Sequence, residues 1–161
     1  MTSPDGTSLS SAVDLLTAIE DDRLLLHYQG VYDAATLRLC GAEALVRWDH
    51  PDLGLLPPSR FLPTDMSGGL GWALTNFVVE EAIRQCAEWR HRGLDLRVSV
   101  NIAPGRLADL VLPEHIARML TRHDVPAQAL VVEITEHRCH VDPEGIRVAL
   151  VELAQIGRAH V

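Results

Sequence analysis

Basic residues are few in this sequence: 14 lysines and arginines stand against 22 aspartates and glutamates, which leaves a formal net charge of −8. Nucleic-acid-binding domains show the opposite balance, because their surfaces must neutralise phosphates. We therefore expect no nucleic acid polymer among the partners. An anionic substrate would need a bound cation or a local arginine to be held by such an acidic protein.

Long apolar runs and cysteines are also scarce. No hydrophobic run approaches the ~20 residues of a membrane-spanning helix. The first residues lack the basic stretch and apolar run of a secretory signal. Cys40, Cys86 and Cys139 have no metal-type spacing, and an odd number does not favour a disulfide framework. We predict reduced thiols and a cytoplasmic protein with no membrane segment in this chain.

The sequence does contain apolar strands that alternate with amphipathic helices. We predict strands at residues 24–29, 39–47, 96–102 and 130–134. Helices are predicted at residues 12–21, 72–92, 113–122 and from 142 onward, and a loop rich in proline and glycine is predicted at 49–71. This alternation predicts an α/β fold built on a parallel sheet.

Polar residues lie at or near the ends of the predicted strands. They are Gln29, Glu43, Arg47, Asn101 and Glu133. Because side chains alternate along a strand, Glu43 and Arg47 share one face, and the small apolar residues between them share the other. In a (β/α) barrel the carboxyl ends of the strands form the active-site face. We therefore expect these polar side chains to converge there.

The chemistry of three of these residues indicates a metal site. Two carboxylates held close together repel each other unless a cation neutralises both. The oxygens of Glu43, Asn101 and Glu133 are hard ligands, which suit Mg²⁺ or Mn²⁺. A lone glutamate would be explained by a salt bridge, but three oxygen ligands at equivalent strand ends favour a metal.

At this point the sequence resembles the EAL domains. The matching segments run in order from about residue 24 to 157 and include His27-Tyr28-Gln29, Glu43-Ala44-Leu45-Val46-Arg47-Trp48, Val98-Ser99-Val100-Asn101-Ile102 and Glu133-Ile134-Thr135-Glu136. The resemblance implies a TIM-like barrel of a bacterial signalling protein. Such a barrel hydrolyses cyclic di-GMP to pGpG with two divalent metals, and EAL domains can also dimerise.

The resemblance also implies roles for individual residues. Glu43, Asn101 and Glu133 look like metal ligands, and the two glutamates look catalytic. Gln29 and Arg47 look like contacts to the dinucleotide. Glu136 looks like a residue that steadies a neighbouring loop.

The sequence departs from the family pattern in several places. Gly30 replaces the usual proline, and Met66 stands where a glutamate is typical. The family's Asp-Asp segment and its later Lys and Glu have no counterpart. We therefore expect about the first four strands of the barrel, in a truncated EAL domain at 24–155 that is inactive by itself. Residues 1–23 are expected to form a polar tail and a lead-in helix.

Residues 156–161 are expected to be a non-native tail. The codons ATC GGA AGA GCA CAC GTC, followed by a stop, encode these residues and match a common sequencing adapter.

Two alternatives stay open at the level of sequence. The domain could be a non-catalytic module that binds cyclic di-GMP or a protein partner. Glu136, His137, Cys139 and His140 could form a separate transition-metal site, although a solvated loop that happens to contain them is the simpler interpretation.

Overall fold

The computed structural model describes residues 12–62, 68–103, 106, 111–134 and 158–159. The helices are α1 (Ala12–Glu20), α2 (Pro58–Phe61), α3 (Gly68–His91) and α4 (Val111–Arg122), with one 3₁₀ turn at Ala127–Ala129. The strands are β1 (Leu24–Tyr32), β2 (Leu39–His50), β3 (Gly54–Leu56), β4 (Arg97–Ile102), β5 (Leu130–Ile134) and β6 (Arg158–Ala159). Helices separate β3 from β4 and β4 from β5, which confirms the predicted α/β class.

One sheet contains all of these strands, in the order β1-β2-β4-β5-β6, with β3 beside β2. The strands β2, β4, β5 and β6 are parallel. β1 is antiparallel to β2 because a tight turn joins them. In that turn a side-chain oxygen of Asp33 accepts hydrogen bonds from the backbone of Ala35 and Thr36 and from the Thr36 hydroxyl. The prediction of a parallel sheet is thus right for β2, β4, β5 and β6, whereas β1 and β3 pair with β2 in the antiparallel sense.

The segment predicted as a long loop at 49–71 contains regular structure. β2 continues to His50, where it pairs with β3 in an antiparallel hairpin. Pro58 then begins α2, a position that suits a residue without a backbone N–H. Phe61 is buried, and its ring contacts Trp48 edge-on at a centroid distance of 5.7 Å. The loop prediction was wrong here because this contact outweighs the turn propensity of proline and glycine.

The hydrophobic core lies between one face of the sheet and the helices. Ala44, Val46 and Trp48 of β2 contribute to it, together with the apolar stripe of α3. Trp89 of the predicted stripe is partly buried and packs against the core. The other four residues of the stripe are buried, and they are Leu74, Val78, Ala82 and Cys86. The opposite face of the sheet is therefore the place for polar side chains. No helix in the described part of the chain is long and apolar enough to cross a membrane.

Candidate functional site

The two faces of β2 differ sharply in polarity. Ala42, Ala44 and Val46 are buried on the helix side, whereas Glu43 and Arg47 alternate with them and are half-buried. This pattern agrees with the period of two predicted from the sequence. The face of the sheet away from the helices therefore carries the acidic and basic side chains.

Glu43 and Asn101 meet on this polar face. The side-chain nitrogen Nδ2 of Asn101 donates a hydrogen bond of 2.8 Å to Oε1 of Glu43. Glu43 pairs in register with Ser99 of β4, so Asn101 lies two residues further along the neighbouring strand. The hydrogen bond also orients the amide, because its NH₂ end faces the glutamate and its Oδ1 points elsewhere.

Glu133 extends the same cluster onto the next strand. It pairs in register with Asn101, and it is half-buried, whereas Val132 beside it is buried in the core. Three oxygen-bearing side chains thus occupy one face of the adjacent strands β2, β4 and β5. Within the described ranges, no cluster of three or more His, Cys, Asp or Glu is arranged to hold a metal. The candidate site has two carboxylates and one amide instead.

These donors fit a hard divalent cation. With Oε1 of Glu43 occupied by Asn101, the oxygens left for a cation are Oε2 of Glu43, Oδ1 of Asn101 and the carboxylate of Glu133. All three are of the type that Mg²⁺ and Mn²⁺ prefer, and water and phosphate oxygens commonly complete their coordination.

Gln29 and Arg47 lie on the same face of the sheet, at different levels along the strands. Gln29 is exposed and pairs in register with Glu43, whereas Arg47 pairs with Leu25. The two levels are separated by four residues, or roughly 13 Å along the sheet. Gln29 does not end its strand as predicted, because β1 continues to Tyr32. The Nη1 of Arg47 donates a hydrogen bond of 2.8 Å to the carbonyl oxygen of Val46.

Other predicted site residues lie outside the described residues. This holds for Glu136 and for the cluster at 136–140, and Met66, which departs from the family pattern, also lies outside the described residues. Conversely, the structure adds Ser99, which had no role in the sequence prediction. It is one of two buried polar residues in the described part of the chain. In the sequence, its position two residues before Asn101 was the feature that could have identified it as a neighbour of the site.

Comparison with known proteins places this chain in a family. The family model of the EAL domain matches residues 12–159. The bifunctional diguanylate cyclase/cyclic di-GMP phosphodiesterase MucR of Pseudomonas aeruginosa is 34% identical over 145 residues, which cover 89% of this chain and 21% of that protein. The cyclic di-GMP phosphodiesterase PdeR of Escherichia coli is 33% identical over 147 residues, which cover 89% of this chain and 22% of that protein.

Solved structures show the same fold. A MucR phosphodiesterase in complex with cyclic di-GMP matches with a TM-score of 0.81 at 34% identity, over 89% of this chain and 59% of that one. An EAL domain protein from Listeria monocytogenes matches with a TM-score of 0.73 at 24% identity, over 94% of this chain and 59% of that one. This chain spans about a fifth of the length of the two curated relatives. The sheet and its helices form part of a TIM-like barrel, and the chain belongs to the EAL domain family.

Proposed function

We propose that the domain to which this chain belongs hydrolyses cyclic di-GMP to pGpG with the help of a divalent cation, Mg²⁺ or Mn²⁺. The observation that carries the proposal is the contact of Glu43 with Asn101, with Glu133 in register on the next strand. The relatives named as cyclic di-GMP phosphodiesterases support the substrate. A cytoplasmic location and self-association through the domain belong to the same proposal.

The cation would be held by Glu43, Asn101 and Glu133. When bound, it would offset the charge of the phosphodiester and make water a better nucleophile near neutral pH. The protein contributes orientation, because the amide of Asn101 holds one oxygen of Glu43 and leaves the other free. A second cation would need ligands beyond these three residues.

Arg47 and Gln29 would bind the dinucleotide. Arginine has five N–H donors in a planar fork, and the hydrogen bond to Val46 uses one of them. The remaining donors can bind two phosphate oxygens at once. Gln29 lies roughly 13 Å away along the sheet and offers an exposed amide. A ligand with two nucleotides is long enough to reach both residues.

We further propose that the 161-residue chain by itself binds cyclic di-GMP without hydrolysing it. The chain corresponds to 59% of the MucR phosphodiesterase chain, so much of that barrel has no counterpart here. The described candidate site offers one cluster of three oxygen ligands, which suits one cation. A module that only binds the dinucleotide is the alternative function for the whole domain.

The test uses the purified chain with Mn²⁺ and cyclic di-GMP. Binding is measured by calorimetry, and pGpG is measured by chromatography after prolonged incubation. We expect the wild-type chain to bind cyclic di-GMP and Glu43→Ala not to bind it. We also expect the wild-type chain to form no more pGpG than that variant forms. The matched control is Glu80→Ala, because Glu80 lies on the outer face of α3, paired with Arg122, and carries the same charge.

Two results would count against the proposal. Metal-dependent turnover by the chain, lost in Glu43→Ala, would overturn the expected inactivity. Equal binding by wild type and Glu43→Ala would overturn the assignment of the site.

A further inference from the structure

Ser99 combines deep burial with an unsatisfied hydroxyl group. Its relative exposure is 6%, and its Oγ has no hydrogen-bond partner among the described residues. A buried hydroxyl without a partner loses its hydration and gains nothing in return, which destabilises the folded state. Buried polar atoms in proteins nearly always have a partner. This one lies beside the candidate site.

The position of Ser99 follows from the strand register. It pairs with Glu43 on β2 and with Val131 on β5. Its neighbours Val98 and Val100 are fully buried, and they alternate with Ser99 and Asn101 along β4. Since the Asn101 side chain contacts Glu43, Ser99 lies on that same face, one pleat away from Asn101.

We propose that Ser99 is a positioning residue for the Glu43 carboxylate. Its hydroxyl donates a hydrogen bond, directly or through one buried water, to Oε2, the oxygen that Asn101 leaves without a donor. Neighbouring strands lie about 4.8 Å apart. One water, or a small rotation of the Glu43 side chain, is therefore enough to connect the Ser99 hydroxyl with the Glu43 carboxylate. This inference rests on the proposed function, because the oriented carboxylate is the one assigned to the cation.

Two donors on one carboxylate have a clear consequence for cation binding. Asn101 alone restrains one oxygen and leaves the carboxylate free to rotate about that contact. A second donor from Ser99 fixes the plane of the group, so that its remaining lone pairs point toward the space shared with Glu133. Groups that orient metal ligands in this way typically change metal affinity by about 10–100-fold when they are removed.

The test separates this role from simple packing. Mn²⁺ affinity of the chain is measured by electron paramagnetic resonance titration, and stability is measured by thermal unfolding without metal. We expect Ser99→Ala to bind Mn²⁺ about tenfold more weakly. Its melting temperature without metal should fall only slightly, because the substitution removes one hydrogen bond to Glu43 and leaves the packing of the strand intact. The control is Thr75→Val, which removes a buried hydroxyl from α3 and should keep wild-type affinity.

Ser99→Cys provides a second variant, because a thiol has similar size but is a weak donor. Its affinity should fall between those of wild type and Ser99→Ala. Wild-type affinity in either folded variant would overturn the proposal, provided that Glu43→Gln abolishes binding. If wild type and Glu43→Gln bind Mn²⁺ equally, the proposed function itself is wrong, and the role of Ser99 falls with it.

Discussion

The side-chain amide of Asn101 donates a hydrogen bond of 2.8 Å to the carboxylate of Glu43, across 58 positions of the sequence. The bond joins two neighbouring parallel strands on the polar face of the sheet. The amide donor restrains one oxygen of the carboxylate without supplying a positive charge, and the contact can be tested by exchange of the two groups.

Replacement of Asn101 by Asp should destabilise the metal-free chain. The substitution removes the donor and places two carboxylates together, which we expect to cost about 1–3 kcal/mol. Mn²⁺ should then raise the stability of Asn101→Asp more than that of wild type. Urea unfolding with and without Mn²⁺ measures both effects.

The exchanged pair is the control for that experiment. In Glu43→Gln with Asn101→Asp, the new glutamine amide can donate to the new aspartate, so much of the metal-free stability should return. If the single variant is as stable as wild type, the hydrogen bond is not formed in solution.

Arg47 should determine affinity for cyclic di-GMP more than stability. Arg47→Ala should weaken binding about tenfold or more, and Arg47→Lys should restore only part of it, because lysine cannot form a planar fork. Arg84→Ala is the matched control, since Arg84 pairs with Glu81 and Glu88 on the surface of α3. Calorimetry measures the affinity of each variant for cyclic di-GMP. Equal affinities of Arg47→Ala and Arg84→Ala would contradict the assignment of Arg47 to the binding site.

Gly41 is required for the close approach of β2 and β4. A Cβ atom there would lie 2.8 Å from the carbonyl oxygen of Arg97, whereas at Gly69 of α3 it would meet nothing within 4 Å. Gly41→Ala should therefore lower the free energy of unfolding by about 1–3 kcal/mol. Gly69→Ala should leave it unchanged or raise it by up to ~1 kcal/mol. Urea unfolding of both variants checks the contrast, and equal effects would refute it.

Tyr28 should make the fold sensitive to alkaline pH. Burial, followed by the nearby Glu81 carboxylate, raises the pKa of Tyr28 above its ordinary value. Because the pKa is raised, Tyr28 loses its proton at a lower pH in the unfolded chain than in the folded chain. The stability that depends on the neutral form of Tyr28 is therefore complete below pH ~10 and is lost as the pH rises above it. Tyr28→Phe should therefore gain stability relative to wild type only at high pH.

The edge-on contact of Tyr28 with Trp89, at a centroid distance of 5.0 Å, is available to phenylalanine as well. The Tyr28 hydroxyl has no partner in the described part of the structure, so Tyr28→Phe should cost little at neutral pH. Unfolding curves at pH 7 and above pH 10 test the expectation. A stability difference that does not change with pH would contradict it.

The sequence alone determined most of the elements and the faces of the main strands. Leu130–Ile134 is the predicted strand without any change of boundary, and the stripe of α3 was readable from its helical period. The alternation around Glu43 placed that residue and Arg47 on the face away from the core. Such features depend on neighbours two to four residues apart, and therefore the local pattern was sufficient.

Only the tertiary structure decided which side chains meet. The contact of Glu43 with Asn101, the burial of Ser99 and the hairpin at His50 depend on strand register and on packing. Register is set by long-range pairing and by core packing, and a shift of one residue would reverse every face. A sequence read in short windows contains the residues of the site, but their distances arise only when distant strands pair.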